Sequence, residues 1–230
     1  MNRLLIKQLA VGVAALACIQ AAKATTYNLG DLIRSGATIS IDDKTFGNFG
    51  FSAAGFNAAD ATVTPEIVNG YEILSFQGPW SVSSGAVADI KLQYTVSASG
   101  GAINMIDQSF VLTAAGTGGL IGIGETVWST GFGTGGPVAQ SSVSFVAGVG
   151  DFADPPGEAI QGDNLIINPP LGKVWVEKDI FLAADANGHV GATVLDQSFH
   201  QTSTPDGGLT VALLGFGLMG IAGLRRRFSS

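Results

Sequence analysis

The stretch "ADIKLQYTV" (residues 88–96) decides the fold class. Ile90, Leu92, Tyr94 and Val96 fall on one side of an extended chain, and Asp89, Lys91, Gln93 and Thr95 fall on the other. Side chains that alternate with period two belong to a strand, and one apolar face against one polar face describes a half-buried antiparallel strand. Working outward from it, similar short runs recur at 38–41, 71–76, 109–113, 142–146, 165–167, 174–182 and 190–195. Turn-formers separate them: Ser99-Gly100-Gly101, Gly116 to Gly119, Gly131 to Pro137, and Asn187-Gly188. Short strands at this spacing predict an all-β fold, an antiparallel β-sandwich of jelly-roll-like form, over residues 25–203. No interior stretch combines helix caps with a sustained 3.6-residue period, and residues 151–164, with Pro155-Pro156, read as a long exposed loop.

The body is acidic. Between Thr25 and Pro205 there are seventeen Asp/Glu against five Lys/Arg, a formal net charge of −12. Such a surface repels nucleic acid and anionic membrane. Cys18 is the only cysteine and precedes the body, so residues 25–203 hold no disulfide, zinc-thiolate site or cysteine nucleophile.

One internal echo stands out. Met105-Ile106-Asp107-Gln108-Ser109-Phe110 and Val194-Leu195-Asp196-Gln197-Ser198-Phe199 share Asp-Gln-Ser-Phe after two apolar residues, and Ile41 to Phe46 is a looser copy. A repeat should persist over a longer period, so the echo reads as three strand ends, each with an Asp at a turn and a Phe entering the core.

Chemistry is harder to find. His189 and His200 are the two histidines, and neither stands in a nucleophile-elbow or zinc-binding spacing. His189 follows Asn187-Gly188, a strong hairpin signal, and so reads as an exposed turn residue. With no carboxylate pair distinguished, the expectation is a non-enzyme. Asp151, Asp154, Glu158 and Asp163 are calcium candidates, since they offer hard oxygen ligands within one acidic stretch. No other metal or cofactor is expected. Trp80, Trp128 and Trp175 offer either core packing or an aromatic platform for sugar rings.

Both ends carry address signals. Arg3 and Lys7 precede an apolar run from Leu9 to Ile19, and Ala22-Lys23-Ala24 places small residues at Ala22 and Ala24, so residues 1–24 read as a signal peptide cleaved after Ala24. The run is too short to span a bilayer, and Ala15-Leu16-Ala17-Cys18 has its leucine misplaced for lipidation of Cys18. At the other end, Leu209 to Leu224 is sixteen residues without a charge, followed by Arg225, Arg226 and Arg227. A helix of that length is about 24 Å against a hydrocarbon core of ~30 Å, suiting a transmembrane helix that anchors temporarily. The arginines stop translocation and keep their end cytoplasmic. Pro205, Asp206, Gly207 and Gly208 form a flat, unhelical approach to that helix, suited to a protease cleft.

A Pro-containing motif, one apolar helix and an Arg cluster in residues 204–230 resemble the PEP-CTERM class of bacterial sorting signals. Thr204 to Gly208 is most similar to the VPDSG-CTERM variant, and Gly207-Gly208 also resembles GlyGly-CTERM signals read by rhomboid-type proteases (rhombosortases). "SIDDKTFGNFGFS" (residues 40–52) resembles a stretch common in such exported domains through Asp43, Lys44, Phe46 and Phe49. The resemblance implies an exosortase partner that cuts near the motif, and a place at the cell surface or in the matrix of bacteria that make exopolysaccharide and biofilm. A carbohydrate-binding or calcium-dependent adhesion module of the same fold is the alternative, with extracellular polysaccharide as partner.

Overall fold

The computed structural model describes residues 24–115, 118–146, 159–203 and 214–215. In chain order the elements are β1 (Tyr27–Asn28), α1 (Leu29–Ser35), β2 (Ile39–Ile41), β3 (Lys44–Ala53), β4 (Thr62–Val68), β5 (Tyr71–Ser83) and β6 (Val87–Ala98). There follow β7 (Gly101–Ala115), β8 (Gly119–Trp128), β9 (Ala139–Val146), β10 (Ala159–Leu171), β11 (Lys173–Ala184) and β12 (His189–Ser203). Residues 88–96 behave as their alternation predicts. Ile90, Leu92, Tyr94 and Val96 are fully buried, and β6 lies in mid-sheet between β3 and β11.

Two six-stranded antiparallel sheets face each other. One runs β1-β4-β5-β12-β7-β10 and the other β2-β3-β6-β11-β8-β9. The last eight strands pair in nested fashion: β5 with β12, β6 with β11, β7 with β10 and β8 with β9. Successive pairs belong to alternate sheets, the strand order of a jelly roll. Strands β1 and β4 extend the first sheet beyond β5, and β2 and β3 extend the second beyond β6.

The core lies between the sheets. Phe46 packs on Phe199 with ring centroids 5.2 Å apart, Tyr94 sits 5.4 Å from Phe76, and Phe110 is also buried. Burial of each such side chain is worth roughly 1.5–3 kcal/mol. The three echo phenylalanines, Phe46, Phe110 and Phe199, are therefore core residues, as expected. Asp107 and Asp196 lie within strands rather than at turns, because β7 and β12 run antiparallel side by side with Gln108 opposite Gln197. Residues 40–52 form the β2–β3 hairpin. Asn48, at φ 51°, occupies a bulge between Gly47 and Gly50, which brings Phe46 and Phe49, three residues apart, to the same buried face.

Several expectations are corrected. Helix α1 interrupts the all-β reading: Asn28 caps it by accepting from the Asp31 amide at 3.1 Å, and Gly36 ends it at φ 63°. Seven residues are too few to show a helical period. Strands β3, β4 and β8 were not foreseen, and β7 and β12 are each longer than the runs read for them. Strand β10 starts at Ala159 because the open edge of β7 accepts it from there, so residues 159–164 are strand rather than loop. Asn187-Gly188 joins strands of different sheets, and His189 begins β12 half-buried opposite Ser83. The proposed signal helix falls outside the described residues, and of the proposed C-terminal transmembrane helix only Leu214 and Gly215 are described; among the described residues no helix is long and apolar enough to cross a membrane.

Candidate functional site

Strand β11 is flanked by β6 and β8, so its outward residues Trp175, Glu177, Asp179 and Phe181 run down the middle of an open sheet face. Next to them, β8 presents Thr126, Gly124 and Gly122, paired with Glu177, Asp179 and Phe181 respectively. Beyond β8, Ser142 and Ser144 of β9 lie opposite Gly124 and Gly122. Where the glycines leave no side chain, a depression of about 300 Å³ opens, bordered by Phe181, Asp89, Asp179, Ser142 and Ser144. Partial burial and a hydrogen bond with Asp89 hold the Asp179 carboxyl above its usual range. Glu177 is engaged differently, accepting from Lys91 at 3.0 Å and from Gln93 at 2.5 Å. The arrangement can accept and donate hydrogen bonds and offers one aromatic ring, Phe181, which is 40% exposed.

The opposite sheet face carries Ser198, His200 and Asp107, a combination that invites comparison with a nucleophilic triad. His200 Nε2 lies 2.6 Å from Asp107 Oδ2, and Ser198 Oγ lies 3.5 Å from the same nitrogen. In a triad the serine and the carboxylate use opposite ring nitrogens. Here both converge on one, and Ser198 also donates to Asp107 at 3.1 Å, so the group is a surface hydrogen-bond cluster without a proton relay. Tyr71 covers the imidazole at 4.5 Å.

A third cluster joins the carboxylates of Asp42, Asp43 and Glu72 within 4.8 Å of one another. Fully buried Lys44 already serves it: its ammonium lies 2.6 Å from Asp43, 3.4 Å from Glu72 and 2.8 Å from Gln201. Partial burial alone would raise Asp43, but hydrogen bonds from Lys44 and Gln201, the Lys44 charge and the Gly100 amide outweigh it and hold the carboxyl below its usual value. The Asp-Lys-x-Phe-x-x-Phe pattern thus describes a buried ion pair and two core rings.

Between the sheets lies a polar centre that sequence reasoning missed. Lys178 donates to Glu125 at 3.1 Å and to Gln108 at 2.8 Å, while Gln197 donates to Glu125 at 2.7 Å and accepts from Tyr94. Burial and the nearby Glu125 charge push the Tyr94 hydroxyl far up, so it stays a donor. The Asp-Gln-Ser-Phe echo was its visible trace, since both glutamines point inward.

Of the calcium candidates, Asp151, Asp154 and Glu158 lie outside the described residues, whereas Asp163 stands in β10 opposite Gln108 and so belongs to a strand. The tryptophans form no platform: Trp80 is in the core, Trp128 is buried edge-on to Phe132, and Trp175 lies under the Lys173 ammonium at 4.8 Å. Ala24 is exposed ahead of β1. Ala22, Pro205 to Gly208 and Arg225 to Arg227 lie outside the described residues, with β12 ending at Ser203.

No curated protein matches the chain in sequence. Among solved structures, TmCBM61 in complex with beta-1,4-galactotriose is similar over 76% of this chain and 96% of its own, at 13% identity and TM-score 0.32. The family 11 carbohydrate-binding module of the cellulosomal cellulase Lic26A-Cel5E of Clostridium thermocellum is similar over 69% and 91%, at 12% identity and TM-score 0.24. The enzymatically active domain of tailspike protein 4 of bacteriophage CBA120 is similar over 66% of this chain and 19% of its own, at 14% identity and TM-score 0.30. Residues 205–228 match the VPDSG-CTERM motif, and the chain therefore carries a PEP-CTERM-type exosortase sorting signal.

Proposed function

We propose that this is a non-enzymatic exported protein of the cell surface or extracellular matrix, held briefly in the inner membrane by its tail. An exosortase then cuts it at Pro205 to Gly208. The match of residues 205–228 to the sorting motif carries the reading. The fold supports it, because among the described residues the strands run from Tyr27 to Ser203, so cuts after Ala24 and at Pro205–Gly208 both spare all of them. The convergence of Ser198 and Asp107 on one nitrogen of His200 supports the non-enzymatic part.

The test is intact mass and fractionation of the protein from a host with an exosortase. Wild type is expected outside the cell as a species running from Thr25 to the 205–208 segment. Replacing Pro205 and Asp206 by alanine leaves the anchor whole and should trap full-length chain in the membrane fraction. A plain membrane anchor predicts instead that both proteins fractionate alike and retain Arg225 to Arg227.

A further inference from the structure

Gly122 and Gly124 hold successive outward positions in the middle of β8, and the fold does not explain either. Neither has the positive φ that favours glycine. A Cβ at Gly122 would meet nothing within 4 Å, and one at Gly124 would meet Asp179 at 3.8 Å, an ordinary contact. Glycine weakens a strand interior, where β-branched residues would strengthen it. What remains to account for two such glycines is close approach of a ligand to the backbone.

We propose that the depression over Gly122 and Gly124 binds a neutral sugar chain, with Phe181 stacked on a sugar ring and Asp89, Asp179, Ser142 and Ser144 bonded to its hydroxyls. A sugar hydroxyl both donates and accepts, so it can meet the serine hydroxyls and the carboxylate oxygens together. Asp89, Asp179 and the neighbouring Glu177 repel an anionic partner. A peptide added as a strand has nothing to pair with, because β8 is hydrogen-bonded on both sides, to β11 and β9. An apolar segment would find one exposed ring. Export brings this face to external polysaccharide, but the binding test leaves the tail unaltered, so the two readings fail separately.

The test is native affinity electrophoresis of the full chain in mild detergent, through gels containing dextran, galactomannan, xyloglucan or, as the anionic control, alginate. At least one neutral polymer should retard the protein and alginate should not. Gly122→Val fills the floor where there is room for it, so it should abolish retardation while the melting temperature holds or rises. Phe181→Ala, at an exposed position, should weaken binding about tenfold, the scale of one aromatic contact, and gives the same reading should the valine variant fold poorly. Passage through all three neutral gels unretarded overturns the proposal. So does equal retardation by alginate, or retardation that a folded Gly122→Val leaves unchanged.

Discussion

Lys178 and Glu125 are cross-strand neighbours that both point into the sandwich, at 1% side-chain exposure or less. Removing one member of such a pair strands the other charge in a dry interior. Lys178→Met should therefore cost about 3–5 kcal/mol in urea unfolding, whereas the double change with Glu125→Leu should recover most of it. A loss in the double variant equal to the sum of the two single losses would show that the charges are not coupled. Asp179 works in the opposite direction. Its folded-state affinity for a proton exceeds that of an unfolded aspartate, so its contribution is fully present below the ordinary value of 3.8 and is lost as pH rises through the higher folded value. Asp179→Asn should accordingly stabilise the protein at neutral pH, with the advantage gone below pH 3.8. Melting curves across that range check the sign.

Turns and strands differ in how openly they declare themselves. The Asp185–Gly188 turn is laced to its neighbours: Gly188 donates to Asp185 at 2.8 Å, Asp185 to the Gly118 carbonyl at 3.2 Å, and Ser84 to the Gly188 carbonyl at 3.0 Å. A Cβ on Gly188 would lie 1.8 Å from the Gly118 carbonyl oxygen, so Gly188→Ala must open the joint and should lower stability by more than about 1 kcal/mol, measured by denaturant midpoint. Asn-Gly announced this turn in the sequence, though not that it links two sheets. Strand β6 was legible for the reason that β8 was not. In β6 every outward position from Asp89 to Ser97 is polar; in β8 two outward positions are glycine, which reads as a loop, and Glu125 faces inward. The bulge at Asn48 likewise broke the alternation of β3 and hid it.

Across the whole molecule the jelly-roll-like sandwich was readable because alternation survives in most strands, whereas the partner of each individual strand was not, because pairing is a long-range property. The processing signal was readable because it is local, made of a short motif, a greasy run and three charges. The candidate site had no such signature: its residues come from β6, β8, β9 and β11, and its floor consists of missing side chains. Strand β12 ties these scales together. It is the strand through which β5 and β7 join, so without it the first sheet falls into two unpaired halves. Its final residue, Ser203, is two residues from Pro205, a reach of ~7 Å. Under the proposed export and processing, the strand that locks the first sheet would arrive last, directly ahead of the proposed cutting segment. On that proposal the order of emergence would act as a quality check, with the scissors reached as the body becomes able to close.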